Sequence, residues 1–264
     1  PQQIDVIEEG STTLFVANRW TALQEFEAFC NARGFSLDHQ TAVVVDVDKT
    51  AIGARGRNDA TIDQARVEAV RRTVGSIVGP EFDPQRFQTA YDRLNQPEFH
   101  PFTADNQDYL AYICLVLGSG LVSLDPLVAR VRAGEMSSFE QFIWEVDRNA
   151  DSLADGLRTI HREILSYVQR GDPTPFKAFR RTEYRTTIGR MGYLGDDIGV
   201  DELLRQEIVI THEVREAAVR WKGRGCLLFG LSDKPDEASV PTDELAAAGW
   251  QPLHRAETHV VGEV

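Results

Sequence analysis

The chain has 264 residues, enough to bury a sizeable core in one large domain or two smaller ones. A formal net charge of −13 without a basic stripe argues against nucleic acid as a general partner, and no stretch is long and apolar enough to span a membrane. Cys30, Cys114 and Cys226 are far apart and odd in number, and the N-terminus lacks a basic-then-apolar signal pattern, so the sequence reads as a cytoplasmic protein with reduced thiols.

In chain order, short strands are expected at Ile4–Ile7 and Thr13–Val16. Trp20, Leu23, Phe26 and Phe29 recur every three residues and predict an amphipathic helix over Arg19–Arg33, closed by Gly34. Ala42-Val43-Val44-Val45 follows, an apolar, largely β-branched run that reads as a strand buried on both faces of a parallel sheet. It ends in Asp46-Val47-Asp48-Lys49-Thr50, and the next nine residues, rich in glycine and carrying Arg55 and Arg57, read as a flexible link.

Helical patterns then dominate: Ile62–Val78, Pro84–Leu94 behind an Asp83 cap, Asp105–Leu117, Leu127–Val131 behind an Asp125-Pro126 start, Ser137–Val146, Leu153–Gln169 and Phe176–Met191. No strand is expected between about 57 and 195. Thr211–Trp221 predicts another helix. Cys226-Leu227-Leu228-Phe229-Gly230-Leu231 predicts a second buried strand, ending in Ser232-Asp233-Lys234-Pro235. A helix at Thr242–Ala248 and short strands at Pro252–Arg255 and His259–Val261 complete the reading. His39, His100, His212, His254 and His259 show no metal-ligand spacing.

Two carboxylates at the C-terminal end of a parallel strand occupy the usual position of a site in an open α/β sheet. Such carboxylates repel unless a cation or proton lies between them. A hard ion such as Mg2+ takes oxygen ligands from one or two carboxylates and a substrate phosphate. A carboxylate is also a competent nucleophile toward phosphorus, and a second acid nearby can protonate the leaving group and then activate water.

Asp46-Val47-Asp48-Lys49-Thr50 behind an apolar strand resembles the first motif, D-x-D-x-T, of the haloacid dehalogenase (HAD) superfamily, in its phosphatase and phosphomutase branches. The resemblance implies an α/β fold: a Rossmann-like core at 1–54 and 208–264, with a large all-helical C1-type cap inserted after the first motif at 55–207. It implies Asp46 as nucleophile, Asp48 as acid/base, both at the Mg2+ site, and Thr50 supporting the turn and the second acid. The strand ending in Ser232 is similar to the second motif, which implies that Ser232 hydrogen-bonds the transferring phosphoryl group. Lys234 is placed to neutralise charge on Asp46 and phosphate. Arg55 and Arg57 are candidates to meet a substrate phosphate, although a solvated turn is the commoner fate of such residues. His161, Lys177, Arg180, Arg181 and Arg185 are candidates in the cap for reading an anionic leaving group.

The third and fourth motifs are incomplete. No lysine follows Lys234, the acidic pair in Gly195-Asp196-Asp197 precedes the second motif, and Val260-Val261-Gly262-Glu263 only faintly resembles the fourth. The expected activity is Mg2+-dependent hydrolysis of a small phosphomonoester through an aspartyl-phosphate. The alternatives are an impaired HAD-derived module that binds a phosphorylated ligand or a protein partner, and, less favoured, a phosphomutase. A D-x-D glycosyltransferase is disfavoured because too little sheet precedes Asp46.

Overall fold

The computed structural model describes residues 1–262, and Glu263 lies outside them. The chain is mixed α/β and divides into two compact units. The first comprises Pro1–Gln64, Gly189–Lys234 and the segment from Arg255 onward. The second comprises Ala65–Ile188 and Pro235–His254. The strands are β1 (Ile4–Glu9), β2 (Thr12–Ala17), β3 (Ala42–Asp46), β4 (Ile210–Thr211), β5 (Leu227–Leu231) and β6 (Val260–Val261), all in the first unit. They form three separate pairs: β1–β2 antiparallel, β3–β5 parallel and β4–β6 parallel.

Gly10, at φ 62°, and Ser11 turn β1 into β2, since a two-residue hairpin loop needs backbone with positive φ. Phe15 on β2 packs its ring 5.5 Å from Phe26 and 5.4 Å from Phe29. Those two residues lie on the expected amphipathic helix, which runs over Leu23–Ala32 after one 3-10 turn at Trp20–Ala22. The helix stops where Gly34 takes φ 78° and Phe35 N–H returns to the Cys30 carbonyl at 2.9 Å.

The helices Leu23–Ala32 and His212–Gly223 share a core with one face of the β3–β5 pair: Cys30, Leu37, Ala217, Trp221 and Cys226, with Val43 and Leu228 against it. The opposite face is bare. Val44 is 57% exposed, Leu227 59%, Phe229 47% and Leu231 59%. The expectation that both strands are buried on both faces is therefore corrected. Helices cover one side, and the period of two sends alternate residues to the other. All three cysteines are free and buried.

The second unit is helical. Gln107–Gly118 is buried nearly all round and runs through a core built by helices Pro84–Leu94, Phe139–Arg148, Asp155–Gln169 and Lys177–Ile188. Asp83 caps Pro84–Leu94 as expected, accepting from Gln85 N–H and Arg86 N–H. Asp125-Pro126 is not a cap. The helix Leu124–Arg132 starts at Ser123, which leaves the proline in the first turn, where its missing N–H costs nothing. Pro252–Arg255 is not a strand, and its last three residues form one 3-10 turn.

Residues 235–254, assigned to the core by sequence, cluster instead with the helical unit. Lys177 pairs with Glu237 at 3.2 Å, and Tyr184 Oη donates to the Gln251 carbonyl at 2.6 Å. Conversely, residues 55–64 and 189–207 belong to the first unit. Asn58 donates to the Leu204 and Glu207 carbonyls and accepts from Val209 N–H. Among the described residues no helix is long and apolar enough to cross a membrane.

Candidate active site

β3 and β5 run in register from Ala42↔Leu227 to Asp46↔Leu231, and Val47 N–H adds one further bond to the Leu231 carbonyl at 2.8 Å. The chain then leaves the sheet in a wide turn. Ala51 N–H reaches the Asp46 carbonyl at 3.2 Å, Ile52 N–H reaches the Val47 carbonyl at 3.0 Å, and Lys49 takes φ 58°. A left-handed conformation at a lysine costs about 1–2 kcal/mol, so the surrounding bonds must hold it. Thr211 supplies two of them, from Oγ1 to the Thr50 carbonyl at 2.6 Å and from N–H to the Ala51 carbonyl at 2.9 Å.

Thr50 Oγ1 donates to Asp46 Oδ2 at 2.8 Å, so the threonine supports the first acid rather than the second. Asp48 Oδ2 accepts from Ser232 Oγ at 2.7 Å, and Ser232 Oγ accepts from Lys234 N–H at 3.1 Å. Asp48 Oδ1 is buried without a hydrogen-bond partner, and Lys234 Nζ stands 3.8 Å away on a side chain that is 3% exposed. A buried carboxylate oxygen with no donor is costly, and a proton or cation offsets that cost. The structure thus brings together Asp46, Asp48, Thr50, Ser232 and Lys234.

It does not bring Arg57 to them. Arg57 makes a bidentate pair with Glu213, 2.8 Å on both arms, and donates to the Val261 carbonyl at 3.2 Å. Planar two-point pairing of this kind explains its burial and assigns it to the scaffold. The link after Thr50 is not a loose flap either. Ile52, Gly53 and Ala54 are buried, Gly53 N–H is bound by the Val209 carbonyl, and a Cβ at Gly53 would meet Ile62 Cδ1 at 2.2 Å.

In the helical unit, His161 is buried with Nδ1 2.6 Å from Tyr112 Oη and Nε2 3.2 Å from Asp147. Arg180 is held by Asp108 and Glu183, and Lys177 by Asp172 and Glu237. Arg181 and Arg185 are exposed. Asp196, from the misplaced acidic pair, faces His259 at 3.3 Å. Glu207, which sequence reading passed over, bonds the other nitrogen of that ring at 2.6 Å, and its hydrogen bond foremost lifts the His259 pKa above the ordinary histidine value. Thr211, Glu213 and Asn58 were also missed. They carry no local pattern, because their partners lie more than a hundred residues away.

Among the described residues no group of three or more His, Cys, Asp or Glu is arranged to hold a metal ion. Mg2+ requires less, since one or two carboxylates suffice when phosphate and water complete its shell. Asp46 and the turn around Asp48 provide hard oxygen donors, and Asp48 Oδ1 accepts no hydrogen bond, with the Lys234 ammonium 3.8 Å away. The residues present fit that ion.

No protein-family model matches the chain, and no curated protein or solved structure matches it.

Proposed function

We propose that the chain is a Mg2+-dependent hydrolase of a small phosphomonoester, with a Rossmann-like HAD-type core and the helical unit as the counterpart of a C1-type cap. One observation carries the reading: a single strand end presents Asp46 and Asp48, and the end of the adjacent parallel strand supplies the hydroxyl that orients Asp48. The buried free thiols agree with a cytoplasmic setting.

In this reading Thr50 fixes Asp46 Oδ2, leaving Oδ1 to attack phosphorus as the ester P–O bond breaks. Asp48, held through Oδ2 by Ser232, delivers a proton from Oδ1 to the departing oxygen. It then takes a proton from the water that attacks the aspartyl-phosphate, freeing Asp46 and inorganic phosphate. Lys234 opposes negative charge beside Asp48. Asp46 and the Asp48 main-chain carbonyl would hold Mg2+, which would supply charge neutralisation at the phosphoryl oxygens.

The test is phosphate release from a panel of small phosphomonoesters, with and without Mg2+, beside Asp46→Asn. Mg2+-dependent release abolished by the substitution supports the reading. Release that survives it in a clean preparation overturns the assignment of Asp46.

A further inference from the structure

Within the first unit, a cleft of about 680 Å³ opens between the β1–β2 hairpin, the turn at Trp20 and the acidic turn, a volume suited to a small organic ligand. Its body is apolar. Phe15, Trp20 and Phe26 line it, with Phe15 and Phe26 edge to face at 5.5 Å. Trp20 is fixed in place, its Nε1–H donating to the Arg55 carbonyl at 3.2 Å.

The charge of the lining is the reverse of the chain's. The protein carries 41 acidic against 28 basic residues, yet Arg19, Lys49 and Arg55 border the cleft and, among the described residues, no acid does. Lys49 is paired with Asp63 at 2.8 Å, whereas Arg55 makes no ion pair among the described residues. An apolar, aromatic chamber with cations and no carboxylate selects an organic anion with a flat apolar body. The cleft also meets the candidate active site, because Thr50 lines it and holds Asp46 Oδ2 at 2.8 Å.

We infer that this cleft receives the leaving group of the substrate, and that the substrate class is a phosphomonoester of an alcohol bearing an aromatic ring. The inference rests on the hydrolase reading for its chemistry and on the cleft for its specificity. Stacking one ring against Trp20 and Phe15 gives about tenfold or more in affinity over a ring-free analogue.

The experiment separates the two. Isothermal titration of the full chain with 2-phenylethylphosphonate and ethylphosphonate, neither of which can be hydrolysed, compares a ring with its absence at equal charge. The expected result is about tenfold tighter binding of the phenylethyl compound, a gap erased in Trp20→Ala, with both compounds weakened in Arg55→Gln. Arg55 is exposed, so Arg55→Gln remains informative should Trp20→Ala fail to fold, as checked by circular dichroism. Equal affinities in the wild type, or a gap and affinities unchanged in the folded variants, overturn the cleft assignment. A ring preference without Mg2+-dependent release from 2-phenylethyl phosphate keeps the cleft and overturns the hydrolase. Release from ethyl phosphate without ring preference does the opposite.

Discussion

Ser232 Oγ donates to Asp48 Oδ2 at 2.7 Å, joining two residues 184 positions apart at the ends of parallel strands. The bond occupies one oxygen of the carboxylate, and the other is buried with Lys234 Nζ 3.8 Å away. In the proposed reaction Ser232 acts by orienting Asp48. Ser232→Ala is expected to lower kcat roughly 10- to 100-fold, a fraction of what general acid–base catalysis contributes, with KM changed far less. Ser232→Thr, which keeps the hydroxyl, should recover most of the rate. Steady-state kinetics that show a rise in KM with kcat intact would return Ser232 to direct phosphate binding.

Arg57 and Glu213 are both nearly buried and bonded at two points. Removing one side chain takes away the other's two-point partner. Arg57→Ala should thus cost about 3 kcal/mol in urea unfolding of the full chain, and Glu213→Ala a similar amount. The double variant should lose less than the sum. An unaltered unfolding midpoint accompanied by a large rise in KM would place Arg57 at the substrate after all.

Arg180 bridges two fully buried carboxylates, Asp108 and Glu183, at 2.6 and 2.7 Å. Burial is the main cause raising the Asp108 pKa, and Arg180 works against it. Arg180→Met strips that opposition from Asp108, while Glu183 keeps Arg66 at 3.2 Å, and is expected to destabilise by about 3–5 kcal/mol at neutral pH. The sign of the pH dependence follows. The Asp108 folded-state pKa rises further, so the folded form binds a proton more readily than the unfolded form, and the variant should regain stability as pH falls toward about 5. Denaturant unfolding at pH 7.5 and pH 5 reads this directly, and a loss equal at both values would contradict it.

His259 sits between Glu207 and Asp196, and its own carbonyl accepts from Ile210 N–H at 2.8 Å beside the β4–β6 pair. Its raised pKa means that the folded state holds the proton more tightly than the unfolded state. The stabilisation is complete below the unfolded value of about 6.5 and is lost as pH climbs through the folded one. Hydrogen exchange at Ile210, corrected for intrinsic rates, should accelerate across that window in the wild type. It should stay level in His259→Gln.

The strand Ala42–Asp46 and the acidic turn after it were legible because their signal is local: an apolar run, two acids one residue apart and a threonine. The helices were legible through their periodicity and through caps such as Asp83. The bare face of β3–β5 was not, because an apolar run looks the same whether one face or both are covered. β4 and β6 are two residues each, too short for any period to register. The wide turn after Asp46 depends on Thr211, and the fate of Arg57 depends on Glu213. Neither long-range partner leaves a mark near the residue it controls. Ser232 was found through resemblance, but its bond to Asp48 was visible only once the strands were paired.

The uncovered strip of Val44, Leu227, Phe229 and Leu231 is also expected to govern how this protein behaves at high concentration. At neutral pH the net charge of −13 keeps molecules apart and the strip stays wet. Toward the isoelectric point of about 4.9 that repulsion vanishes, and apolar strands with unpaired edges become adhesive. A few side chains beside the candidate nucleophile are then expected to set the solubility minimum. Phe229→Lys, which adds a cation to an exposed edge, is the single change that should widen the range of buffers in which the chain can be concentrated.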